Sequence, residues 1–220
     1  MVKIRRKISK INEDFQNSQL SYFDNNTYDT AHAMFKLLSK FVNARISLSF
    51  NITNISDEND INLNSYNDIS RGKLAGDVIE AAVISLLQRR GILKENYINS
   101  NHSPDFVYNN VPFEIKAYNK NVTNLSLGRY ETIKNGLLSD NDEHYKRMVA
   151  IIFNYNVNNE TNEIIITNLD VIPFIFLINK EFKIKGGGSS SVIARKYSTR
   201  DNTDFNELLD ELRQILNNKK

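Results

Sequence analysis

The chain has 220 residues, 40% of them apolar and 10% aromatic, which is enough to bury one core and too much for a disordered chain. It contains no cysteine, so a disulfide scaffold, a thiol nucleophile and cysteine-ligated zinc or iron–sulfur centres are excluded. Its 28 basic and 26 acidic residues leave a formal net charge of +2, which by itself lends no support to a nucleic-acid partner.

The first ten residues are basic, with no apolar segment behind them, so no export signal is read. With the missing cysteines, this predicts a cytoplasmic protein. Ala31, Met34, Phe35, Leu38, Phe41 and Val42 recur every three or four positions and predict a helix over 28–45. Strict apolar/polar alternation predicts a strand over 46–52, and the Asn/Asp/Ser-rich stretch 53–70 reads as loop. Leu74, Val78, Ala81, Ala82, Leu86 and Leu87 mark a helix over 72–90 that Gly91 ends. Strands follow at 105–108 and 111–118, joined at the turn pair Asn109-Asn110. Residues 128–147 are polar and in part helical. The apolar run 148–153 predicts a buried central strand, followed by a strand over 163–167 after a turn at Asn158-Asn159. The longest apolar run, 171–178, is too short to cross a membrane and holds Pro173. A last helix over 204–217 carries Phe205, Leu208, Leu209, Leu212 and Leu216 as its buried stripe. The sum is an α/β protein, with a mixed central sheet from 105–118, 148–156 and 163–168 between helices.

The chemistry concentrates in Pro104-Asp105-Phe106 and Phe113-Glu114-Ile115-Lys116. Side chains alternate along a strand, so Glu114 and Lys116 share one face while Phe113, Ile115 and Ala117 take the other. Asp105 opens the neighbouring strand. Two carboxylates at such close range resist ionising together unless a cation lies between them. The cation suited to a few carboxylates plus phosphate oxygens is Mg²⁺. A lysine beside it can position a water for attack on phosphorus. Glu80, in Gly76-Asp77-Val78-Ile79-Glu80, offers a third acid from the preceding helix, with Asp77 as the alternative on the same helix.

Pro104-Asp105 with Glu114-x-Lys116 resembles the PD-(D/E)xK nuclease motif. The run Asn101-His102-Ser103-Pro104-Asp105, then Glu114-Ile115-Lys116, then Leu125-Ser126-Leu127-Gly128-Arg129, resembles the EcoRV-like group of type II restriction endonucleases over about residues 75–205. It departs from EcoRV in having Glu114 where that enzyme has Asp, and residues 1–70 match nothing in the group. The resemblance implies a restriction-endonuclease-like core and Mg²⁺-dependent, sequence-specific cleavage of double-stranded DNA. It implies Glu80, Asp105, Glu114 and Lys116 as catalytic residues, with Asp105 and Glu114 on the metal. It further implies a homodimer on a palindrome, blunt cutting and a DNA methyltransferase encoded nearby. Residues 1–70 would then serve dimerisation or DNA entry, and 71–220 would be the catalytic core of a single domain.

DNA contacts are expected from Asn101, His102 and Ser103, and from the glycine-rich segment near 186–195 with Gly187, Gly188, Ser189, Ser190, Ser191 and Arg195. Glycines admit close backbone approach, and Ser and Asn can bond base edges or phosphates. Between Phe182 and Arg200 there are five basic residues and no acid, so the neutral total conceals a basic patch. Another nuclease on the same core, for repair or junction resolution, and a catalytically silent DNA-binding module are the alternatives.

Overall fold

The apolar run beginning at Met148 lies where its composition places it, in the interior of a six-stranded sheet. The computed structural model describes residues 20–47, 52–53, 74–95, 104–119, 125–138, 143–158, 163–177, 183–185 and 191–194, with positions 17, 97, 160–161, 210, 212–214 and 218.

In chain order the described elements begin with α1 (Asn25–Leu38), β1 (Arg45–Ser47), β2 (Ile52–Thr53) and α2 (Leu74–Arg89). They continue with β3 (Phe106–Tyr108), β4 (Val111–Asn119), β5 (Leu125–Arg129), α3 (Tyr130–Leu138) and α4 (Glu143–Arg147). The last are β6 (Val149–Asn158), β7 (Glu163–Pro173), β8 (Lys183–Lys185) and β9 (Ser191–Ala194). The main sheet has the order β2-β1-β7-β6-β4-β3, and a smaller sheet has the order β5-β9-β8. Among the described strands of the main sheet only the β4–β6 pair is parallel, so the sheet is mixed. β5, α3 and α4 form the crossover that a parallel pair requires.

Alternation along β6 sends Val149, Ile151 and Phe153 to one face, against α1 and α2, and Ala150 and Ile152 to the other, against β5, α3 and α4. Helices therefore cover both faces, as predicted. Thr167 is an extra residue in β7, since Asn154 pairs with Asn168 and Tyr155 with Ile166. This bulge resets the alternation, so that Ile164 and Ile166 share a face with Leu169 and Val171.

Local chemistry sets the boundaries. Asp24 Oδ1 accepts the Thr27 backbone N–H at 2.8 Å and starts α1 three residues before the expected position. The expected helix over 28–45 stops at Leu38. A 3₁₀ turn (Ser39–Phe41) and Asn43, with φ 72°, lead into β1. The single strand expected over 46–52 is two short strands, with Ile46 paired to Ile52. Period-two alternation reads the same in one strand and in a hairpin. Gly91, φ 67°, ends α2 in a Schellman motif, its N–H bonding the Gln88 carbonyl and that of Ile92 bonding Leu87. β7 runs past the expected 163–167 to Pro173, which is tolerated because it is the terminal residue opposite Val149. Of the C-terminal helix, Asp210, positions 212–214 and Asn218 are helical, and Leu212 is fully buried. Phe205, Leu208, Leu209 and Leu216 lie outside the described residues.

Candidate active site

The β3–β4 hairpin is built by its turn and its aromatic pair. Asn109 and Asn110 take φ 50° and 61°, the double left-handed conformation of a two-residue type I′ turn. Phe106 pairs with Phe113, and their rings stack with centroids 4.9 Å apart. Such a pair contributes about 0.5–1.5 kcal/mol beyond its buried area and resists register slip. Register matters because Asp105 precedes Phe106 and Glu114 follows Phe113. Asp105 Oδ2 accepts the backbone N–H of Ile115 at 2.5 Å, which holds its carboxylate against β4 beside Glu114.

Glu114 and Lys116 share a face, as alternation requires. Lys116 Nζ lies 2.6 Å from Glu114 Oε1, and their side chains are 18% and 6% exposed. The other oxygen, Glu114 Oε2, is buried with no hydrogen-bond partner among the described residues. Burial, with repulsion from Glu114 and Glu80, pushes the Asp105 carboxyl up to about 7, against the pull of Lys116 and the Ile115 N–H. For Lys116, burial favours the neutral amine, but Glu114, Asp105 and Glu80 outweigh it and raise the pKa above the ordinary lysine value. Glu80, half-buried on α2, thus acts electrostatically on Asp105 and Lys116.

An orphaned buried carboxylate oxygen next to a second, crowded carboxyl fits a hard divalent cation. Among the described residues no three acidic or histidine side chains form a ready metal cage. The donor set is oxygen only and incomplete, which suits Mg²⁺ completed by water and phosphate.

Sequence reasoning passed over Tyr97. Its hydroxyl donates to the backbone carbonyl of Asp105, and burial, Asp105 and Glu80 together raise its pKa. It stands in a polar loop with no periodic pattern to mark it. On the Glu114 face, two strands along, Asp170 is buried and accepts from Asn154 Nδ2 and Asn168 Nδ2, each at 2.8 Å. The sequence carries no signal for this polar set inside apolar strands.

Asn101, His102, Ser103, Gly187, Gly188, Ser189, Ser190 and Arg195 lie outside the described residues. Ser191, expected in the glycine-rich loop, is instead the first residue of β9, paired with Lys185 and Arg129. The β-branched Val192 and Ile193 that follow it favour a strand. Gly128 has φ 137° and sits at a bulge in β5. Among the described residues, no helix is long and apolar enough to cross a membrane.

No protein-family model matches the sequence, and no curated protein matches it. Among solved structures, the chain is similar to "NlaIV restriction endonuclease", with a TM-score of 0.46 and 14% identity. The match covers 66% of this chain and 66% of that one, just under two thirds of each.

Proposed function

We propose that the protein is a Mg²⁺-dependent endodeoxyribonuclease of the PD-(D/E)xK kind, acting as a type II restriction endonuclease on double-stranded DNA. The observation that carries this reading is Asp105, Glu114 and Lys116 gathered on one hairpin, with a buried Glu114 oxygen that no described residue satisfies.

Asp105 and Glu114 would hold Mg²⁺, which when bound polarises the scissile phosphate and stabilises the charge that builds in the transition state. Lys116 carries a fixed ammonium on the same face and is suited to orient the attacking water and to offset charge on the phosphate. Glu80 adds a third negative charge and so strengthens the site's demand for a cation. The sequence resemblance extends the reading to a homodimer on a palindromic site with blunt cutting and a genomically adjacent DNA methyltransferase. Asn101–Ser103 and the 186–195 segment would then contact DNA.

Incubation with plasmid and phage DNA, with Mg²⁺ and then with EDTA, tests this. Discrete metal-dependent fragments are expected. Smears or single nicks point to a repair or junction nuclease, and binding without cutting points to a silent DNA-binding module.

A further inference from the structure

We infer that Tyr97 is a positioning residue for the metal site, setting the place of Asp105 through its main-chain carbonyl. The inference rests on the nuclease reading above and deepens it.

Asp105 lies just outside β3, whose ladder begins at Phe106, so no strand pairing holds its backbone. Two other bonds do. The Ile115 N–H fixes its side chain, and the Tyr97 hydroxyl fixes its carbonyl oxygen. Tyr97 is itself tethered to α2. Gln88 Nε2 reaches the carbonyls of Lys94, Glu95 and Tyr97 at 3.3, 3.0 and 3.2 Å. The Schellman turn at Gly91 bends the chain back so that this is possible. The same helix carries Glu80. One mechanical chain therefore runs from α2 through Gln88 and Tyr97 to Asp105, and it fixes the helix acid relative to the hairpin acid.

Groups that orient a metal ligand alter metal affinity by roughly 10–100-fold when removed. Tyr97→Phe deletes the hydroxyl alone. The full-length variant is compared with wild type by calorimetric titration of Mn²⁺ without DNA, and by cleavage kinetics across Mg²⁺ concentrations. About tenfold weaker Mn²⁺ binding is expected, with kcat reduced at low Mg²⁺ and recovered at high Mg²⁺, and KM for DNA unchanged. A merely structural tyrosine would give a loss that metal does not rescue. Unchanged Mn²⁺ affinity, or a kcat loss that excess Mg²⁺ leaves in place, overturns the inference while wild-type cutting leaves the nuclease reading intact. Wild type that neither binds Mn²⁺ nor cuts DNA removes both.

Discussion

Lys116 Nζ and Glu114 Oε1 are 2.6 Å apart on one face of β4, and the second oxygen of Glu114 is buried with no partner among the described residues. The lysine thus satisfies one oxygen of the carboxylate, and no described residue satisfies the other. A purely structural ion pair would satisfy both oxygens, because an unmet buried charge costs several kcal/mol.

Removing the lysine should separate chemistry from binding. Lys116→Met is expected to lower the cleavage rate by about 10²–10⁴-fold while DNA binding in Ca²⁺ persists. It also strands Glu114, so the metal-free protein loses about 2–3 kcal/mol in urea unfolding, below the usual cost for a fully buried pair because Lys116 is part exposed. Wild-type cutting by this variant would refute the assignment.

The elevated Asp105 carboxyl sets a pH window. Its native value of about 7 lies above the ordinary 3.8, so the folded protein retains a proton that the unfolded chain releases. The stabilisation is complete below the lower value and is lost as pH rises to the upper one. Metal-free protein should therefore melt at lower temperature at pH 8 than at pH 5, and Asp105→Asn should flatten that slope. Proton and metal compete for Asp105, so cleavage at limiting Mg²⁺ rises with pH through about 7.

The two acids of α2 are distinguishable. Glu80→Gln should reduce the cleavage rate at limiting Mg²⁺ by about tenfold or more, through loss of one charge acting on the site. Asp77→Asn should cut within about twofold of wild type. The reverse order would move the helix acid to Asp77.

Gly136, inside α3, tests packing alone. An added Cβ would stand 2.2 Å from the ring of Tyr145, which is 6% exposed and packs on Phe174. Alanine gains about 1 kcal/mol of helix propensity, but overpacking costs about 1–3. Thermal melts of Gly136→Ala should show net destabilisation.

Asn110 in the hairpin turn offers the opposite sign. Glycine meets its φ of 61° without a Cβ penalty, and Asn-Gly is the preferred type I′ pair. Asn110→Gly should stabilise by about 0.5 kcal/mol and leave cleavage unchanged.

The hairpin was legible because its signals are local. Asn109-Asn110 marked the turn, and alternation put Glu114 and Lys116 together. The helix stop at Gly91 was equally local. What escaped depends on pairings that no local pattern marks. Thr167 shows as a bulge only once β6 lies beside it. The hairpin of β1 and β2 has the alternation of a single strand. Tyr97 bonds the carbonyl of Asp105 and the side chain of Gln88, neither of which any spacing rule connects to it.

The β3–β4 hairpin closes over two residues, whereas β4 meets β6 only after segment 120–148 has been bridged. Closure entropy grows with loop length, and hairpins form in about 1–10 μs, so Asp105 and Glu114 meet early in folding. Glu114 lies opposite Ala150 across the parallel pair, so its burial should be completed only when β6 docks. Folding should therefore have a late step in which a charged group loses water, and divalent cations should speed it. Stopped-flow refolding with and without Mg²⁺ is expected to show faster completion with the metal, and equal rates would exclude this order of events.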